Sequence, residues 1–538
     1  MPEQGQLGDE AGAGAGQNGV DWSGAWTEGA STESGRSAED GVGARLGRPR
    51  PPAGGEAVPV LGQAPAGDVP WRDRMRILLR TPMVERPAFE CGPRENESEP
   101  GNVARILDLT LRIGELLLAS GEAAEDVEAA MLGVARAYRL CRCEPGVTFT
   151  LIAISYQPSL VDPPITAERT VRRRSCDYTR LAAVYRLASD IVAGQVAVDD
   201  AYHRLAEMRR SLRPYPVWLL AFASGLLAGA ATFLVGARAD GKAWFVFASA
   251  FTAAGAGDRL AALVGRRGLP EFYQFVIAAM PAALVGILLS FNELHLRGSL
   301  VVTGGLFALL PGRPMVAAVQ DGLTGFYLTA AARLLEVLYL VAGIVIGVML
   351  VLYVGVNSRA NLKPYENLGG TGNPPLQLTA AMLLTLGFAM LLQTDRRTVP
   401  LVVLNSAIGW TTYGVLVNAH VETILATGLA AGLVGLFGQL MARHRRTSAL
   451  PHVTAAIGPL MPGSMLYFGM LSFAQRQPEA GLDYIGHAGA MAMALAIGVN
   501  LGGEMAHLFM RMPGATGRLA LPPTFPRHAA KRRRSRGG

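Results

Sequence analysis

Two long apolar runs are each interrupted by a proline–glycine pair, Pro311-Gly312 in LLPGRPM and Pro462-Gly463 in LMPGSM, with the prolines 151 residues apart. Proline removes a backbone donor and clashes with the preceding helical turn. Glycine then lets the chain leave helical angles. A helix broken this way offers N–H groups and a partial positive charge to an anion such as a carboxylate. Its other half offers carbonyls to an ammonium group or a cation. In hydrocarbon the freed backbone groups are costly, so such a break is tolerated only against protein or a watery cavity. One break alone reads as a packing kink; two at matched positions point to a binding site.

Polar and ionisable side chains within apolar runs extend the candidate list. Arg313 follows the first break and suits either a substrate carboxylate or an acid such as Asp258. The substrate-binding candidates are Pro311, Gly312, Arg313, Asn405, Pro462, Gly463, Ser464 and Asn500. Asp258 is the best candidate to carry a proton, with Asp321 and Glu504 as further acids at the inner ends of their spans. His507 lies one turn from Glu504, a pair that reads as interfacial or capping, with a proton relay as the alternative. The string Gly255-Ala-Gly-Asp258 also matches, weakly, the G-x-G-D motif of intramembrane aspartyl proteases. Such an enzyme needs a second aspartate to share a proton, and only Asp321 is on offer.

Other chemistries lack their signatures. Cys141-Arg-Cys143 has the wrong spacing for a zinc knuckle, and neither a P-loop nor a nucleophile elbow occurs. The sequence gives no basis for a metal or organic cofactor, and the four cysteines, Cys91, Cys141, Cys143 and Cys176, read as reduced thiols. Basic clusters lie between apolar spans and at the tail, which fits membrane topology rather than nucleic acid.

The elements that must position these residues follow from hydropathy. The chain has 538 residues, half of them hydrophobic, and a mean hydropathy of +0.27 despite a polar first hundred. Runs of about 20 apolar residues suffice to cross a bilayer. Ten are expected, over 217–236, 243–264, 271–291, 299–319, 334–355, 376–393, 399–418, 421–441, 451–473 and 484–506. Eight arginines fall in the even-numbered gaps (Arg266, Arg267, Arg333, Arg396, Arg397, Arg443, Arg445 and Arg446) against six basic residues in the odd ones. With Arg209, Arg210 and Arg213 before the first span and KRRRSR in the tail, the positive-inside rule places both termini in the cytoplasm. An odd number of spans per half makes the second half insert upside down relative to the first, as in many secondary transporters.

The expected fold is therefore mainly α: a polytopic membrane protein with about ten transmembrane helices in two inverted five-helix repeats, plus a small α+β cytoplasmic domain. Residues 1–101 read as a disordered tail with a short amphipathic helix over 71–80, either membrane-touching or solvated. Residues 102–213 form the α+β domain, with one strand expected over 147–156 and His203 solvated on its last helix. The first repeat covers 217–355, an outer linker 356–375, the second repeat 376–508 and a basic tail 509–538.

LRIGELLLASGEAAEDVEAAM, then a strand, then ten spans carrying LLPGRPM and IGPLMPGSMLYFG, resembles the threonine/serine exporter family over about residues 102–508. That family includes dicarboxylate (succinate) exporters whose halves are separate chains. The resemblance implies a cytoplasmic N-terminal domain and export of threonine and serine across the plasma membrane, driven by the proton motive force. The partners it implies are a small-molecule substrate (threonine, serine or a small organic acid), protons and the lipid bilayer; a homo-oligomer is left open. Arg313 stands where the family leads one to expect a small or apolar residue.

Overall fold

The computed structural model describes residues 71–80, 100–158, 161–172, 177–210, 215–236, 241–291, 298–357, 374–445 and 447–511. The polar first segment, Cys91, Cys176, most of the linker and the basic tail lie outside the described residues, as does the side chain of His507.

An α+β region comes first: α1 (Trp71–Arg80), α2 (Pro100–Ala119), α3 (Ala124–Ala137), β1 (Cys143–Thr148), β2 (Leu151–Tyr156), β3 (Ile165–Thr170), α4 (Tyr178–Val192) and α5 (Val198–Arg210). The strands form an antiparallel sheet in sequence order, with Val147 opposite Ile152 and Ile152 opposite Arg169. The single strand expected over 147–156 is thus two, folded at Phe149-Thr150. No Gly, Pro, Asn or Asp marks that turn, so the apolar run reads as continuous. Ile152 and Ile154 are fully buried on the sheet face that meets α2 and α3.

The helix α1 lies on α3. Gly133 admits its Trp71 ring, which a Cβ at that glycine would approach to 3.0 Å. Arg72 pairs with Asp126 at 2.9 Å and Arg80 with Glu125 at 2.8 Å, while Arg76 also reaches Asp126. Acids in the first turn of a helix complement its dipole, and α3 carries Glu125 and Asp126 there, both buried. Buried carboxylates need partners, and α1 supplies the arginines. Of the cysteines, Cys143 is free and buried, and burial pushes its thiol up to about 12. Cys141 is disulfide-bonded, which corrects the expectation of reduced thiols throughout.

The membrane part follows as α6 (Val217–Val235), α7 (Gly241–Arg266), α8 (Glu271–Ser290), α9 (Gly298–Phe307), α10 (Gly312–Leu323) and α11 (Tyr327–Asn357), then α12 (Pro374–Leu391), α13 (Val399–Asn418), α14 (Thr423–Arg445), α15 (Leu450–Thr454), a 3-10 turn (Gly458–Leu460), α16 (Gly463–Ala474) and α17 (Pro478–Arg511). Among the described residues, seven helices are long and apolar enough to cross a membrane, eight when α9 and α10, bent by 50°, count as one broken span. This is a multi-pass membrane protein. The sequence expectation was ten. The helix α7 falls short because Asp258 and Arg259 dilute its apolar window, and the run over 451–473 because its first helical piece, α15, has only five residues.

Packing recurs at a nearly constant offset. Gly347 of α11 lies so close to α8 that a Cβ would come within 2.2 Å of the Val276 carbonyl oxygen. At 151 residues further on, Gly498 of α17 stands likewise against α14, 2.1 Å from the Gly428 oxygen. Small residues let membrane helices approach closely, and the same pair of helices uses the device in each half.

Half-buried Glu128 of α3 accepts from the Val147 N–H at 2.9 Å and so pins β1 to the helix. Burial pushes this carboxyl up from 4.5 to about 7, with the Val147 hydrogen bond opposing. An acid whose value is higher in the folded chain holds its proton more tightly there, so its contribution falls as pH rises. We expect thermal unfolding of the detergent-solubilised protein to lose stability from pH 4.5 to about 7, and Glu128→Gln to flatten that part of the profile.

Candidate functional site

Both Pro–Gly pairs break their helices in the same way. Pro311 has φ −81° and ψ 56°, and Pro462 has φ −80° and ψ 50°. In each case the following glycine N–H donates to the carbonyl before the proline, Gly312 to Leu310 and Gly463 to Met461, both at 2.9 Å. These are inverse γ-turns, which return part of the hydrogen bonding that proline removes. A 12-residue helix follows each turn, α10 or α16. Each ends at a left-handed residue, Gly325 (φ 93°) or Arg476 (φ 63°), before a long helix begins.

The two breaks touch each other. A Cβ on Gly312 would lie 1.8 Å from the Met461 methyl, and one on Gly463 would lie 2.8 Å from the Phe307 ring. Gly312 therefore receives the side chain directly before the opposite proline, and Gly463 one that lies four residues before its opposite. A cavity of about 210 Å³ opens beside this crossing, lined by Ser224, Ala254, Asp258, Gln274, Gly305 and Leu309 among others. Leu309 belongs both to the cavity wall and to the segment entering the first break. The Asp258 side chain is 36% exposed, with the Arg259 guanidinium 3.9 Å away.

The other candidates go elsewhere. Arg313 does not line the Asp258 cavity. It donates to the Ser120 carbonyl at 3.3 Å and borders a separate, water-sized space of about 20 Å³ with Leu118, Gly121, Phe149 and Arg333. Gly121, at φ 90°, brings the backbone beneath that guanidinium. Asp321 is fully buried; it accepts from the Ala124 N–H at 2.8 Å and pairs with Arg333 at 3.1 Å. Asp258 thus lines the cavity, whereas Asp321 is committed to Ala124 and Arg333. Asn405, fully buried, donates to the Val434 and His452 carbonyls at 3.0 and 3.2 Å and so ties α13 to α14 and α15. Asn500 donates to Ala496 of its own helix, Ser464 is half-buried in the first turn of α16, and Glu504 is exposed on α17.

Sequence reasoning missed two residues. His452, 1% exposed, has Nδ1 3.3 Å from the Ser448 carbonyl. A histidine inside an apolar run is itself a signal. Arg333 was read as a topological charge, yet its side chain is 4% exposed and also donates to the Glu122 carbonyl at 2.7 Å. Nothing in its local sequence tells the two roles apart.

Two family models match the chain in succession. One, described as "Putative threonine/serine exporter", covers residues 108–355, and one described as "Threonine/Serine exporter, ThrE" covers 377–503. The chain is 34% identical over 444 residues to a "Probable threonine/serine exporter" of Mycobacterium tuberculosis, which covers 80% of this chain and 82% of that protein. It is 30% identical over 428 residues to a "Threonine/serine exporter" of Corynebacterium glutamicum, covering 77% and 85%. The chain belongs to the threonine/serine exporter family. The seam between the two family matches falls within the linker that separates the two Pro–Gly-bearing halves. No solved structure matches.

The crossing yields an asymmetric prediction. The Met461 methyl is the mobile end of a flexible side chain, whereas the Phe307 ring is a rigid wall. Gly463→Ala should cost about 1–3 kcal/mol as an overpacked site, and Gly312→Ala less. Thermal unfolding of both variants in detergent, against the parent, measures the difference.

Proposed function

We propose that this protein exports threonine and serine across the plasma membrane by alternating access, with protons as the coupling ion. Its two halves are inverted five-helix repeats, both termini are cytoplasmic, and the substrate chamber is the cavity beside the crossed breaks. The observation that carries this reading is the pair of matched γ-turn breaks packed against each other next to that cavity. Broken helices near the midplane, at the interface of repeats, are the usual construction of a transporter site. The names of the two relatives point to the same substrates.

The chamber favours an amino acid over the dicarboxylate alternative. At about 210 Å³ it lies below the roughly 300–1,000 Å³ of drug-sized pockets. Its lining contains one acid, Asp258, with Ser224 and Gln274 as neutral polar groups and no basic residue. A dianion would meet the Asp258 carboxylate there, with Arg259, 3.9 Å from it, as a counter-charge outside the lining. A zwitterion can set its ammonium group toward Asp258 and its hydroxyl toward Ser224 or Gln274. The substrate-binding set proposed from the breaks (Pro311, Gly312, Pro462, Gly463 and Ser464) borders the moving crossing. Asn405 and Asn500 act in the second half, and Glu504 plays the minor part among the acids. Asp258 is the group proposed to take up the coupling proton.

Efflux of preloaded labelled threonine from cells or vesicles tests this. Export should require the protein and fall when a protonophore is added. Asp258→Asn should slow it by at least about tenfold, the equivalent of losing about 1.4 kcal/mol of stabilisation at the rate-limiting step. Export of succinate but not of threonine would overturn the substrate assignment.

A further inference from the structure

We propose that the corner between α2 and α3 plugs the transport path on the side of the N-terminal region, and that Asp321 and Arg333 are the positioning residues that seat it. The proposal rests on the transport reading above. It begins with an orphaned helix end. The first turn of a helix has backbone N–H groups without partners. The residue before α3 is Ala123, which has no side chain able to accept from them. The Ala124 N–H donates instead to Asp321 Oδ1, 197 residues further along the chain, at 2.8 Å. A carboxylate there also complements the helix dipole. Arg333 of α11 balances the same carboxylate at 3.1 Å and holds the corner a second time through the Glu122 carbonyl at 2.7 Å.

Arg313 extends the seat. Its guanidinium donates to the Ser120 carbonyl at 3.3 Å. Arg313 and Asp321 are eight residues apart on one helix, a rise of about 12 Å, so the Ser120–Ala124 corner covers α10 from its first turn to its last. The turn between β1 and β2 reaches the same face, where Phe149 shares the small space bordered by Arg313, Pro314 and Ala317. The half-helix that leaves the first Pro–Gly break therefore meets the N-terminal region at both its first and its last turn.

The same region also grips the second half. The Tyr178 and Thr179 N–H groups donate to the Leu392 and Gln393 carbonyls, both at 3.1 Å, and the Tyr178 hydroxyl meets Thr454 of α15 at 3.2 Å. The N-terminal region thus binds α10 and α11 in one half, and the turn after α12 together with α15 in the other. A rearrangement of the halves that opens the path on this side must break these contacts or carry the region with it. A buried ion pair contributes little to stability against an apolar pair of the same shape, but removing one member leaves the other charge stranded. Such a pair suits a seat that is either fully made or fully released.

The test reads access rather than transport. Ala308→Cys places a thiol on the cavity wall beside the first break. Its labelling by a membrane-impermeant cationic thiol reagent is followed from each side in oriented vesicles, as the excess over protein without the added thiol. Asp321→Asn keeps an acceptor oxygen for the Ala124 N–H but deletes the charge that Arg333 balances. We expect labelling from the side of the N-terminal region to rise several-fold in Asp321→Asn and in Arg333→Gln, to stay near the parent in Arg333→Lys, and to remain unchanged from the opposite side. If either seat variant fails to give a monodisperse protein, Arg313→Ala, which releases only the far end of α10, takes its place with the same expectation. Labelling equal to the parent's in the folded variants, or rising equally from both sides, overturns the proposal. Threonine efflux measured in the same vesicles separates the two readings. Side-specific labelling with no threonine efflux even from the parent would overturn the transport assignment and leave the corner as a cover over the cavity alone.

Discussion

A backbone that leaves the helix inside a membrane must find partners for the groups it frees, and this constraint organises the structure around Pro311 and Pro462. Each break recovers one hydrogen bond as an inverse γ-turn closed at 2.9 Å. Protein then covers what is left: Met461 lies over Gly312, and Phe307 lies over Gly463. Each break helps to bury the other, because each supplies the side chain that fills the space the opposite glycine leaves. The recurrence of the Gly347–Val276 approach as Gly498–Gly428 holds the flanking helices in the same relation in both halves. The cavity lies where the chain enters the first break, so any change in bend angle there changes its wall.

The N-terminal region is joined to this arrangement by charge. Its α3 begins with buried acids that α1 neutralises through Arg72, Arg76 and Arg80. The first N–H of the same helix is satisfied from the membrane part by Asp321. One helix end thus collects contacts from α1, α10 and α11. The SGEAAED string that opens α3 serves this double attachment through the carboxylates of Glu125 and Asp126 and the Glu122 carbonyl.

Much of this was legible in the sequence, and the boundary of legibility is physical. The breaks were legible because proline and glycine act on their own backbone, whatever surrounds them. The turn at Phe149-Thr150 was hidden because neither residue is a turn former. Arg313 was expected at a mid-membrane site and instead reaches Ser120, because depth along a span says nothing about which domain lies alongside it. The partnership of Asp321 with Ala124 and Arg333 was out of reach for a related reason: it joins residues from three distant segments. Local pattern reports on local energetics, and the seat of the N-terminal region is made wholly of long-range contacts.

Cross-linking the two breaks tests the central claim most directly. Gly312→Cys and Met461→Cys are combined with a specific protease site introduced between residues 358 and 373 of the linker, and the protein is oxidised in the membrane before the linker is cut. Crossed breaks predict that the two halves remain covalently joined after cleavage and separate on reduction, with no joining in the protein that carries either substitution alone. Halves that separate after cleavage under every oxidising condition would place the breaks apart and contradict the account.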